Sequence, residues 1–162
     1  MKILKNMNMF IEGKGFQGEV DEMTPPKIAL KVEEIMAGGM GAPLEIETGL
    51  EKLEASYSII GASPEALSQF AQSGALFRFK GAQKNADGTV QAIDIEMRGL
   101  IKELDMGNWK PREKVMYKQT FNVEYYKFTL AGQVIYEIDI KNMKCIINGK
   151  DVWAEERAAI GV

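Results

Sequence analysis

The sequence predicts a mainly β protein, a barrel or sandwich of antiparallel strands with one flanking α-helix and a possible short helix at the carboxyl end. Three observations carry that expectation. Apolar and polar residues alternate with a period of two over long runs, turn signals separate those runs, and one segment bears the start and stop marks of a helix.

The first alternating run is Lys27 to Glu33, with Ile28, Leu30 and Val32 on one face and charged residues on the other. Leu53, Ala55, Tyr57 and Ile59 then alternate with Lys52, Glu54, Ser56 and Ser58. These two segments are expected to pair as a hairpin whose tip is the stretch IMAGGMGAPLEIETG, Ile35 to Gly49. Connections of that length with no structure of their own are uncommon, and are usually functional or disordered.

The helix is expected next. Ser63 is placed to cap it, Pro64 suits its first turn, Glu65 favours the positive end of its dipole and Gly74 closes it. Leu67, Phe70 and Ala71 fall on one face, and so short a helix must lie against a sheet.

The second half is more regular. Ala75 to Gln83 reads as a strand, Ala86-Asp87-Gly88-Thr89 as a turn, and Val90 to about Asp105 as the return, in which Ile93, Ile95, Met97 and Ile101 alternate with Asp94, Glu96, Arg98 and Lys102. After the loop Gly107-Asn108-Trp109-Lys110-Pro111, the run Val115 to Leu130 alternates Tyr117, Phe121, Val123 and Tyr125 with Lys118, Thr120, Asn122 and Glu124. Two long strands with full polar faces predict a sheet with one wet wall. Ala131-Gly132 turns the chain into Val134, Tyr136, Ile138 and Ile140; at the tail Asn148-Gly149 signals a hairpin, whereas Asp151 is placed to cap a short helix through Ala159, which is favoured. No linker or composition shift divides residues 1–162, which read as one domain.

Composition restricts function. In 162 residues, 46% are hydrophobic and 27% charged, with a net charge of −3, a globular profile and not that of a dedicated nucleic-acid binder. Cys145 is the only cysteine, so no intrachain disulfide forms; between Lys144 and Ile146-Ile147 it reads as a small buried hydrophobe. The opening MKILKNMNMFIEGKG meets Asn6, Asn8 and Glu12 before any long apolar run, so neither a signal peptide nor membrane insertion is expected, and cytoplasmic synthesis is the default.

Histidine is absent, which removes imidazole from both catalysis and metal ligation. The pairs Glu33-Glu34, Glu45 with Glu47, and Glu155-Glu156 read as solvated surface. No catalytic residue, metal site or cofactor emerges. The glycine stretch is not a phosphate cradle either, because Gly41 is followed by Ala42 and Pro43 where a lysine and a hydroxyl residue are needed. It is a flexible surface loop or a docking loop, in which Met40 and its apolar neighbours Ile35, Met36, Leu44 and Ile46 meet a partner and Gly38, Gly39 and Gly41 let the backbone adapt.

An ordered set of short motifs resembles a known family. It comprises Asn6-Met7-Asn8-Met9-Phe10, Gly15-Phe16-Gln17-Gly18, Thr24-Pro25-Pro26-Lys27, Gly38-Gly39-Met40, Met97-Arg98-Gly99 with Lys102-Glu103 and Asp105, Glu137-Ile138-Asp139, Asn142-Met143, Asn148-Gly149, Asp151, Arg157 and Ile160-Gly161. Over nearly the whole chain this resembles the major tail tube proteins of contractile-tailed bacteriophages, and also R-type bacteriocin tubes. The resemblance implies a structural protein of the virion tail: hexameric rings stacked as an inner tube, in contact with tail sheath, tape-measure and baseplate proteins, and a conduit for DNA or for membrane puncture. It implies that Met36, Gly38, Gly39, Met40, Gly41, Leu44 and Ile46 make inter-ring contacts. With the wet wall, it implies that Asp94, Glu96, Arg98, Lys102, Lys118, Thr120, Asn122 and Glu124 face a lumen through which DNA passes without tight binding. A secreted ring of a type VI secretion needle, or a small-ligand β-barrel, are the rival readings.

Overall fold

The long alternating runs pair with one another in antiparallel register. In the computed structural model, which describes residues 1–162, the strands are β1 (Lys2–Ile11), β2 (Lys14–Gly15), β3 (Val20–Thr24), β4 (Leu30–Ile35), β5 (Leu44–Leu50), β6 (Glu54–Ile60), β7 (Ala75–Asn85), β8 (Val90–Asp105), β9 (Met116–Leu130), β10 (Gln133–Asp139), β11 (Lys144–Ile147) and β12 (Lys150–Asp151). The helices are α1 (Pro64–Leu67) and α2 (Ala154–Ile160). The main sheet runs β12-β11-β10-β9-β8-β7-β1-β2, and β6 carries β3 onto it through β9.

Strand β9 is where the sheet forks. One edge pairs with β8 along most of its length, while the other pairs first with β6, from Met116 to Asn122, and then with β10, from Tyr125 to Leu130. At the fork the ladder slips, since Gly99 faces Val123 but Arg98 faces Tyr125, leaving Glu124 unmatched. The result is an open, sandwich-like arrangement, not a closed barrel. Between its layers, Tyr57 of β6 meets Phe77 of β7 and Phe121 of β9 at ring separations of 6.0 and 6.1 Å, and Phe77 stacks on Phe121 at 4.0 Å. Met9, Phe16, Phe79, Met97 and Ile101 complete this fully buried centre.

The polar pair at the centre of the core, Tyr57 and Gln119, is satisfied. The Tyr57 hydroxyl donates to Gln119 Oε1, and Gln119 Nε2 donates to the carbonyl of Ala66 at 3.4 Å, tying α1 to the sandwich. The tight turns follow the hairpin rule: Ala131-Gly132 has φ of 50° and 83°, and Asn148-Gly149 has 49° and 83°, the left-handed pair that matches strand twist.

Four local expectations change. Residues 27–33 do not pair with 52–59; β4 pairs with β5, a strand hidden inside the supposed loop, while β6 pairs with β3 and β9. The helix expected to reach Gly74 stops after one turn, because the Ala71 N–H bonds the carbonyl of Ile101 and Phe70 bridges to Ile101. Strand β1, not anticipated, delivers Met9 and Ile11 to the core. At the tail both a hairpin and a helix form, since Asn148-Gly149 turns β11 into β12 and α2 follows, but Asp151 does not cap that helix: its N-cap is Trp153, with no side-chain cap bond, and Asp151 Oδ1 accepts from the Trp153 N–H at 3.1 Å one residue before the helix starts.

Candidate assembly interface

Strands β4 and β5 form a two-stranded sheet of their own, paired Leu30 to Leu50 at the base and Ile35 to Leu44 at the tip. The strands are exposed along nearly their full length. The arm therefore collects every residue expected at the inter-ring contact: Leu44 and Ile46 on β5, Met36, Gly38, Gly39, Met40 and Gly41 in the connecting turn, whose Met40 N–H bonds the Ala37 carbonyl at 3.2 Å. Met36 is 62% exposed and Leu44 58%. Alternation gives the outer half of the arm two unlike faces. Ile35, Leu44 and Ile46 share one with Glu33; Glu34, Glu45 and Glu47 share the other with Val32, and Glu34 and Glu45 are directly opposed.

The wet wall is broader than the sequence indicated. Asp94, Glu96 and Arg98 lie on β8, and the strands on either side continue the row: Arg78, Glu96, Lys127 and Glu137 stand opposite one another across β7, β8, β9 and β10. The Arg78 guanidinium lies 3.4 Å from Glu96 and 3.8 Å from Asp94. Opposite charges directly across a ladder stabilise it, so the row is held in register by its own chemistry. A concavity of about 520 Å³ opens on this wall between Asn8, Lys80 and Asp94.

The other expected wall residues spread along the same face toward the β6 side. Lys118, Thr120 and Asn122 stand beside Ser58, Ser56 and Glu54, and Lys102, at a second ladder slip, bonds Glu54. That lysine, seconded by Lys52, holds the Glu54 carboxyl down at about 2. Glu124 sits at the fork and turns to Lys141 at 3.1 Å, apart from the rest. The slip also shifts the alternation, so Tyr126 is buried and Tyr125 joins the wall, where its hydroxyl donates to Glu137 at 3.3 Å. Burial, with Glu137 and Glu96 nearby, pushes Tyr125 up to about 12.

Sequence reading missed Arg78, Lys80, Lys127 and Glu137, although Arg78 and Lys80 alternate visibly with Phe77 and Phe79. It also missed the free edge of β1. That strand pairs with β7 on one side, but β2 covers only Phe10 and Ile11 on the other, and Ile3 and Leu4 are left exposed. Three or more His, Cys, Asp or Glu side chains are nowhere gathered to hold a metal ion, and no helix is long and apolar enough to cross a membrane.

A family model described as phage tail tube protein FII matches residues 1–161. The tail tube protein of Escherichia phage P2 is 32% identical over 167 residues, covering 98% of this chain and 96% of the relative. The major tail tube protein of Serratia phage KSP20 is 27% identical over 157 residues, covering 95% and 92%. Among solved structures, the fold is similar to chains in two cryo-EM structures of PVC, an extracellular contractile injection system, both in the extended state. A chain of the sheath/tube terminator has a TM-score of 0.59 at 7% identity, covering 77% of this chain and 94% of that one; a chain of the sheath-tube complex has 0.58 at 8%, covering 76% and 88%. These two likenesses concern the fold alone. The family match and the end-to-end relatives concern the sequence itself, and on them the chain belongs to the phage tail tube protein FII family, structural proteins of the inner tube of contractile tails.

Proposed function

We propose that the chain assembles into hexameric rings that stack head to tail, with the charge-balanced wall of β7 to β10 lining the bore and the β4–β5 arm contacting the adjacent ring. The observation that carries this reading is the arm: a two-stranded sheet hydrogen-bonded to no other strand, with its apolar side chains in solvent. An isolated two-stranded hairpin is marginal in water, and exposed apolar clusters mark interaction sites, so the arm finds its stability on a second subunit. The free edge of β1 offers the ring contact, because unpaired strand edges template pairing with another chain.

In this reading the tube meets the sheath on its outside, the baseplate at one end and a tape-measure protein within during assembly. It is made in the host cytoplasm and serves as a non-enzymatic conduit for DNA or for membrane puncture. Purified protein brought to high concentration and viewed by negative-stain microscopy tests it: rings and tubes are expected, and uniform monomers would overturn the assembly reading.

A further inference from the structure

The loop between β8 and β9, residues 106–115, is the chemical complement of the arm. Trp109 is 70% exposed and Met106 49%, with the indole Nε1–H donating to the Met106 carbonyl at 3.1 Å, which fixes the ring on the loop surface. Around them stand Lys110, Arg112 and Lys114 against the single carboxylate Glu113, all exposed. The arm from Leu30 to Leu50 has the opposite balance, with Glu33, Glu34, Glu45 and Glu47 against Lys31. None of the seven ion pairs of the chain involves either segment. Tryptophan, methionine and arginine are the residue types enriched where proteins bind one another.

Their placement in the fold is equally pointed. Strand β6 runs from Glu54, opposite Asn122, to Ile60, opposite Met116. The arm joins β6 at its Glu54 end through residues 51–53, and the loop enters β9 at Met116, so the two attachments are separated by the length of β6, roughly 20 Å. Two different patches on one subunit make a heterologous contact, which generates a ring or an open stack and not a closed pair.

We infer that the β4–β5 arm of one subunit docks on the 106–115 loop of a second copy, the tip residue Met36 packing on Trp109 and Met106 while Glu34, Glu45 and Glu47 on the acidic face meet Lys110, Arg112 and Lys114. This rests on the assignment of the arm to the inter-ring contact and names its receptor.

Charge reversal in the full chain tests it. One variant carries Glu34→Lys, Glu45→Lys and Glu47→Lys; the other carries Lys110→Glu, Arg112→Glu and Lys114→Glu. Because like charges brought together across an interface repel, each set alone is expected to cut mean tube length about tenfold, and the two sets combined in one chain to restore it. A second measurement needs only single exposed substitutions: Met36→Cys chains mixed with Trp109→Cys chains and oxidised should yield the mixed disulfide dimer. If the arm set shortens tubes and the loop set does not, or if the combination fails to rescue, the pairing falls while the arm keeps its inter-ring role. If neither set changes tube length, both readings fall. Met36→Cys dimers with themselves in place of mixed dimers would likewise overturn the pairing.

Discussion

Glu34 and Glu45 stand directly opposite each other across the β4–β5 ladder, two carboxylates on one exposed face with Glu47 beside them. Like charges in that position destabilise a hairpin. The other face holds Ile35, Leu44 and Ile46 in water beside Glu33. Both faces therefore work against the free arm and favour an arm covered by a partner surface. The remainder of the chain does not share this strain, since its wall charges alternate in sign from Arg78 to Glu137.

The first prediction follows from that pair. Replacing Glu45→Lys turns a repulsive cross-strand pair into an attractive one, so the free arm should become more ordered. Amide exchange at Val32 to Glu47 in unassembled protein is expected to slow by up to about fivefold. Tube assembly should weaken at the same time, because a carboxylate that meets the neighbouring ring is lost. Unchanged exchange would show that the opposed carboxylates do not control the arm.

A second prediction concerns the buried bond from Tyr57 to Gln119. Tyr57→Phe leaves the Gln119 acceptor unpaired inside the core, which costs about 1–3 kcal/mol in urea unfolding. The pH dependence gives an independent check. Burial raises the pKa of Tyr57 well above the ordinary tyrosine range and pushes Tyr126 to about 12, so the folded state holds these protons more tightly than the unfolded chain does. Their contribution to stability is complete below pH 10 and is lost progressively above it, through about 12 for Tyr126 and at still higher pH for Tyr57. Wild-type stability should fall across that window, and the Tyr57→Phe variant should fall less steeply.

Much of the scaffold was legible because period-two patterning survives wherever one face is buried. The limits of β7, β8 and β9 could be read from Phe77, Ile95, Met97 and Phe121 alternating with charged neighbours. The arm was not legible, since Leu44-Glu45-Ile46-Glu47 has the same alternation on a strand that buries nothing, and a glycine turn precedes it. The switch from Val123 to Tyr126 as successive core residues was hidden for another reason: the slip at Glu124 is imposed by β9 changing partners from β6 to β10, a tertiary event. The same holds for the helix, whose expected continuation past Leu67 loses to the bond between Ala71 and Ile101. Expected wall residues on β8 were brought together with basic partners from β7 that the sequence displayed at the same spacing.

The third prediction tests the fork. Gly99 lies beside the slip, and a Cβ there would stand 1.9 Å from the Asn122 carbonyl oxygen, a backbone atom that cannot step aside. Gly99→Ala is expected to cost about 3 kcal/mol or more, or to prevent folding. Gly38→Ala, with nothing within 4 Å, should leave monomer stability within about 0.5 kcal/mol. Equal thermal midpoints for the two variants would contradict this account of the fork.

The last prediction concerns the proposed bore. Each cation that neutralises a phosphate releases counterions and adds salt-sensitive affinity, so a surface that lets DNA slide past must offset its lysines and arginines. Here Arg78 is matched by Asp94 and Glu96, and Lys127 stands between Glu96 and Glu137. Assembled tubes should therefore retain duplex DNA negligibly at physiological salt. The double change Asp94→Lys with Glu96→Lys would place two new cations among Lys80, Arg78 and Lys127, creating retention that falls steeply with salt, by about 0.9 in log affinity per log salt for each phosphate contacted. The isosteric pair Asp94→Asn with Glu96→Gln, which removes the offset without adding cations, should give an intermediate slope. Tight, salt-sensitive binding by the unmodified tube would overturn the conduit reading of this wall, and equal behaviour of all three tubes would place Asp94 and Glu96 away from the bore.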